Sequence, residues 1–196
     1  MALTVPPPRT PLEGGLARWY ENELGWATAP GSPVRLLTGV RFDVLELPAD
    51  AGEALLRRIG PTGPVALHGD RMRLLVAVGS ADELPGLLDW LEWGGIALGL
   101  TALGAGGRMT APVPPRWPRG AARGAAVWLR PPGPGRERES LPTLVPFGHG
   151  GGGDGGSGGD APGLVRLVDA AATECHRARL RRGNTFRANT QPLAFS

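Results

Sequence analysis

Two acids, Asp43 and Glu46, stand three positions apart in the run VRFDVLEL, and His68 closes a later apolar run, VALH. Carboxylates on a strand beside a histidine are groups that can hold divalent metal and phosphate. The spacing works against that use here. Side chains on a strand alternate between its two faces, so residues three apart point to opposite sides. Phe42, Val44 and Glu46 then share one face, and Arg41, Asp43, Leu45 and Leu47 share the other. Only a bulge would bring Asp43 and Glu46 to one ion. One remaining carboxylate does not organise a pair of metals. His68 is either a phosphate-contacting group or the surface end of a strand. Asp43, Glu46 and His68 are therefore the weak catalytic candidates, and Glu46 the weak metal candidate. The expectation is no catalytic residue and no cofactor, with Mg or Mn entering only if an active reading holds.

A second group lies near the C-terminus: Arg177, Arg179, Arg181, Arg182 and Arg187. Arginine near a helix C-terminus complements the helix dipole, which is reason enough for it to be there. The same residues also suit phosphate or an acidic partner, and the four in 177–182 fall round the helix and not on one face. The tail that follows, NTFRANTQPLAFS, mixes Phe186, Leu193 and Phe195 with amides, a composition suited to docking. The expected partner is DNA or a protein, bound through the Arg-rich helix and tail.

The elements that position these groups follow from pattern. Residues 1–11 are Pro-rich and expected to be flexible. Leu12, Leu16, Trp19, Tyr20 and Leu24 step at helical spacing up to Gly25. The run over 40–47 reads as a buried strand, bounded by Gly39 and Pro48. Asp50 and Glu53 form a capping-box pair, so a helix follows, with Ala51, Leu55 and Ile59 as its apolar stripe and Gly60-Pro61 as its stop. Residues 64–78 read as a hairpin turning at Gly69-Asp70. Ser80 with Glu83 starts another helix, lined by Leu84, Leu87, Leu88 and Leu91, in which Pro85 suits only the first turn. Residues 96–113 read as a second hairpin, turning at Gly104–Gly107, and 125–130 as one more strand. Residues 131–146 are Pro-rich coil and 147–163 a Gly-rich linker. Leu164, Val168, Ala171, Cys175 and Ala178 then step along a C-terminal helix over 164–183, stopped at Gly183, before a tail over 184–196.

Composition bounds the rest. The chain of 196 residues is 41% hydrophobic, enough for one domain with a core. All 21 basic residues are Arg, set against 18 acids, for a net charge of +3. The single Cys175 excludes an intramolecular disulfide and a cysteine-cluster metal site. On its helix the thiol faces inward, as a structural group. The segment GGSGG matches a nucleophile-elbow pattern, and the same run contains a G-x-G-x-x-G, but both lie in polyglycine with no strand before them. Trp90 and Trp93 suit either base stacking or core packing. No apolar run reaches membrane-spanning length and no signal-peptide core is present, so a cytoplasmic location without membrane contact is expected.

Several pieces in order resemble the N-terminal domain of bifunctional DNA primase–polymerases (prim-pol) of the archaeo-eukaryotic primase superfamily. They are ELGWATAP after the first helix, TGVRFDVLELP, GDRMRLLVA, GAGGRMTAPVPP, and AAVWLRPP followed by LPTL. The resemblance covers about residues 12–144. It implies an α+β domain, a mixed or antiparallel sheet with packed helices, here followed by the linker and C-terminal helix. It also implies a metal-dependent active site of two acids, a histidine and a third acid. This sequence departs from that site. Glu46 falls at the first acid, Leu47-Pro48 at the second, Met72 at the histidine, Gly99 near the third acid and Pro115 near a serine. The resemblance therefore implies a degenerate bacterial member, a non-catalytic relic kept as a nucleic-acid- or protein-binding or regulatory module. Two other readings stand beside it: an active primase–polymerase or nucleotidyltransferase with a displaced metal site, and a plain protein-interaction module.

Overall fold

The computed structural model describes residues 11–60, 62–115, 117, 125–133, 141–142 and 163–189. Residues 1–10, most of the Pro-rich coil, the Gly-rich linker up to 162 and the end of the tail lie outside them. The described elements are α1 (Pro11–Glu23), β1 (Thr28–Ala29), β2 (Arg35–Leu37), β3 (Asp43–Pro48), α2 (Ala49–Arg58), β4 (Val65–His68), β5 (Arg71–Val76), α3 (Ser80–Trp90), β6 (Thr101–Leu103), β7 (Arg108–Thr110), β8 (Val127–Arg130) and α4 (Leu164–Asn189). They build an α+β fold with two antiparallel sheets. One sheet runs β6-β3-β5-β4-β8, the other β1-β2-β7.

The run β3-α2-β4-β5-α3-β6 is a β-α-β-β-α-β unit. Its strands lie in the spatial order fourth, first, third, second, all antiparallel, as in a split βαβ arrangement. Strand β3 is interior, between β6 and β5, and strict alternation sends its side chains into two separate cores. Leu45 and Leu47 join Ala51 and Leu55 of α2, Leu84 of α3 and Leu164 of α4. Val44, with Phe42 just ahead of the strand, joins Tyr20 of α1, Trp26, Leu36 of β2 and Met109 of β7. The large sheet is thus covered by helices on one face and by α1 with the small sheet on the other. The expected alternation holds over 42–47, but the strand itself begins at Asp43 and Val40, expected at its buried start, is exposed.

Helix α4 is part of this core and not an appendage. Leu164, Leu167, Val168, Ala171, Ala172, Cys175 and Ala178 are all buried against the helices and the sheet. The small residues let α4 approach α2 closely, and apolar burial supplies roughly 1.5–3 kcal/mol for each large side chain removed from water.

Four local expectations change. Residues 96–113 do not form a hairpin: the chain turns at Gly104, where Gly107 N–H donates to the Gly104 carbonyl, but β6 pairs with β3 and β7 with β2. The turn hands the chain from one sheet to the other. The Asp50/Glu53 capping box does not form either, because α2 starts at Ala49 with Pro48 at its N-cap. Asp50 lies inside the first turn, where its charge suits the helix dipole. Pro85 stands in the second turn of α3, past the position where a missing N–H costs nothing. Finally, α4 runs through Gly183 to Asn189.

Candidate functional site

Asp43 is 1% exposed and turns toward the N-terminus of α3. Its Oδ2 accepts the backbone N–H of Gly79 at 2.8 Å and of Ala81 at 3.0 Å. Gly79 is the N-cap of α3, and a glycine has no side chain to satisfy the first N–H groups. A carboxylate from β3 does so instead, and its charge suits the positive end of the helix. The Ser80/Glu83 pairing read from the sequence is thus replaced by a cap from 36 residues away. Asp43 is a structural group.

Glu46 points to the other face, as alternation requires. There it meets two arginines of β5. Arg73 Nε donates to Oε2 at 2.7 Å and Arg71 Nε to Oε1 at 3.1 Å. Arg71 Nη2 also donates to the Glu46 carbonyl and, at 2.8 Å, to the carbonyl of Gly99. Burial raises the Glu46 carboxyl pKa, but the hydrogen bonds and charges of Arg73 and then Arg71 outweigh it and hold the group below the ordinary carboxylate range. Both carboxylate oxygens are occupied by guanidinium groups, and the cluster is net positive. These residues do not fit a divalent cation, which would need free oxygens and a negative surround.

His68 ends β4 opposite Arg71 across the Gly69-Asp70 turn. On the pleat it shares the face of Glu46, whereas Asp43 lies on the other, so the three residues do not converge on one site. Met72, at the position of the family's histidine, is buried on the face opposite Glu46, paired with Leu47. Gly99 contributes only its carbonyl to Arg71, and Pro115 is exposed. Among the described residues no group of three His, Cys, Asp or Glu is placed to hold a metal ion.

The Thr-Gly and Gly-rich segments meet. Thr38 Oγ1 donates to the Gly104 carbonyl at 2.6 Å and Thr38 N–H to the Gly107 carbonyl at 3.1 Å. Gly39 has φ +80°, and a Cβ there would lie 2.2 Å from Ala105 Cα. Only glycine fits this approach. Near them, Trp26 packs on Phe42 with ring centroids 4.6 Å apart, and Trp128 Nε1 donates to the Tyr20 hydroxyl at 2.9 Å. That hydroxyl in turn donates to the Pro112 carbonyl.

The C-terminal arginines reach different partners. Arg182 pairs with Asp50 of α2 at 2.8 Å, and Arg179 reaches the Ala97 carbonyl. Arg177 shares Glu174 with Arg58 of α2, at 2.8 and 2.5 Å. Burial raises the Glu174 carboxyl pKa and the two arginines more than reverse it, so the group stays ionised below the ordinary range. Arg181 is exposed on the helix, and Arg187 falls in the helical segment whose side chains lie outside the description. Cys175 is fully buried, and burial pushes its thiol up to about 12, which removes it as a nucleophile. Trp93 packs beside His176 and donates to Asp169, and Trp90 at the end of α3 is 67% exposed.

Sequence reasoning missed Arg71 and Arg73. Their i, i+2 spacing did place them on one face of β5. Only the register, which sets Glu46 opposite Arg73, shows that this face is the one holding the acid. Compared with models of known families, with curated proteins and with solved structures, the chain matches none. No helix among the described residues is long and apolar enough to cross a membrane.

Proposed function

We propose that this chain is a binding or regulatory module on a prim-pol-like scaffold, a bacterial cytoplasmic protein in which nucleotidyl transfer has been lost. The observation that carries the reading is the clamp of Arg71 and Arg73 on Glu46. Glu46 stands where the resemblance puts the first metal-binding acid, and its charge is spent on an internal ion pair. The scaffold half of the reading is supported by convergence. The segments that carry the resemblance, far apart in sequence, lie together. Trp26 packs against Phe42, Thr38-Gly39 sits against Gly104–Gly107, β5 pairs with β3, and Trp128 of β8 bonds to Tyr20. The partner is nucleic acid, or a protein taken through the same surface.

The experiment is a template-directed extension assay with Mg²⁺ or Mn²⁺, on wild type and Glu46→Gln. The expected result is no incorporation by either. Incorporation by wild type that Glu46→Gln abolishes would show that an active site survives and would overturn the non-catalytic reading.

A further inference from the structure

Helix α3 buries one face and leaves the other bare. Leu84, Leu87, Leu88 and Leu91 turn to the core. The opposite face carries Asp82, Glu83, Gly86, Asp89 and Trp90, all exposed. On a helix, residues three and four apart are neighbours. Gly86 therefore lies inside a ring made by Asp82 and Glu83 one turn before it and by Asp89 and Trp90 one turn after. A Cβ on Gly86 would meet nothing within 4 Å, and its φ is not positive, so neither close packing nor backbone conformation accounts for a glycine there. The result is a shallow notch, floored by backbone and walled at one end by an indole that is 67% exposed. Among the described residues, nothing bonds the Trp90 indole or the carboxylates of Asp82 and Glu83.

Charge selects the occupant. Residues 74–107 hold four acids and no basic residue, whereas the other 162 hold 21 Arg against 14 acids. The acids on and after α3 are an island of negative charge on a positive chain. Asp89 stands in the last turn of α3 and Glu92 just past it, where the helix dipole is already negative, and no basic residue in that turn offsets them. Glu92 keeps its charge there at φ +63°, a left-handed position that favours glycine. An indole beside unpaired carboxylates attracts a guanidinium or ammonium group, which lies on the ring face while the acids neutralise it. The same acids repel nucleic acid. A second copy of the chain would have to present a different, basic face, and such a head-to-tail contact does not close on itself.

We propose that the outer face of α3, Trp90 with Asp82, Glu83 and Asp89 around Gly86, is a docking surface for a basic peptide segment of another protein. An arginine or lysine of that segment lies over Gly86 against the indole. This goes beyond the module reading above, since it names a protein partner and a surface that nucleic acid does not use.

The test uses the full chain and a fluorescein-labelled hexa-arginine peptide, followed by anisotropy at about 50 and about 200 mM salt. Wild type is expected to bind at the lower salt. Trp90→Ala removes no charge and is expected to weaken binding about tenfold. Gly86→Leu keeps the charges and the indole but fills the notch, and is expected to weaken binding by a similar factor. Asp82→Asn with Glu83→Gln is expected to weaken it more at the lower salt than at the higher. All these positions are exposed, so melting temperatures should stay near that of wild type, or rise for Gly86→Leu. The proposal is overturned if wild type binds no peptide at low salt. It is also overturned if Trp90→Ala or Gly86→Leu binds as wild type does, which would leave attraction by net charge alone. Self-association of wild type in sedimentation that Trp90→Ala abolishes would overturn it as well, by making a second copy the occupant.

Discussion

Asp43 and Glu46 have the same chemistry and opposite fates, decided by the pleat. Asp43 faces the helices and caps α3, while Glu46 faces the other way into two guanidinium groups. Replacing Asp43 with Ala leaves the N–H groups of Gly79 and Ala81 buried without an acceptor. The cost of such orphaned donors is about 1–3 kcal/mol. Asp43→Ala is therefore expected to lower the unfolding free energy from urea titration by that amount, with a lower midpoint, and Asp43→Asn, which keeps an acceptor oxygen, by less. An unchanged midpoint for Asp43→Ala would mean that the carboxylate does not support α3. The opposed faces of the two acids were legible in the sequence, because alternation along β3 is a local property. The partners were not. Whether an acid on one face meets a helix N-terminus or a pair of arginines depends on which strand lies alongside and in what register, and VRFDVLEL carries neither.

The helices and strands were legible where their periodicity was long, and misread where a single residue decided the outcome. The stripe of α4 is clear from Leu164 to Ala178, but in the sequence Gly183 has the character of a stop. A glycine ends a helix when the chain takes positive φ there. Gly183 is not among the glycines with positive φ, and a Cβ on it would meet nothing within 4 Å. Gly183→Ala is thus expected to raise helix content and stabilise the last turns, by up to about 1 kcal/mol, the usual difference between the two residues inside a helix. Circular dichroism and thermal melting measure both effects. A loss of helix signal would show that Gly183 terminates α4. The mistaken hairpin over 96–113 has the same origin. Two short β-forming runs flank a glycine turn, and nothing in them says that each prefers a different sheet. Leu103 lies opposite Val44 on β3, and Met109 opposite Leu36 on β2. Those cores, not the turn, decide the pairing.

At the scale of the molecule, two depressed carboxylates tie elements together. Glu46 joins β3 to β5 within the large sheet, and Glu174 joins α4 to α2 through Arg58. Both groups titrate below their ordinary value in the folded chain. In the unfolded chain they lose those arginines and titrate near the usual carboxylate range, about 4.3. Above that range both states are ionised, and the two ion pairs contribute their full stability. As pH falls through it, the unfolded chain takes up protons first, so unfolding is favoured until the folded groups are protonated as well. The melting temperature is therefore expected to be flat in these groups from about pH 7 to about pH 5 and to fall below that. Glu174→Gln separates the contribution of α4. It should melt lower than wild type at neutral pH, since Arg58 and Arg177 lose their shared anion, and its acid limb should be shallower, since one linked proton is gone. The gap between the two proteins then narrows as pH falls. If wild type and Glu174→Gln instead fall in parallel across the acid range, Glu174 is not linked to folding and α4 is held by its apolar stripe alone.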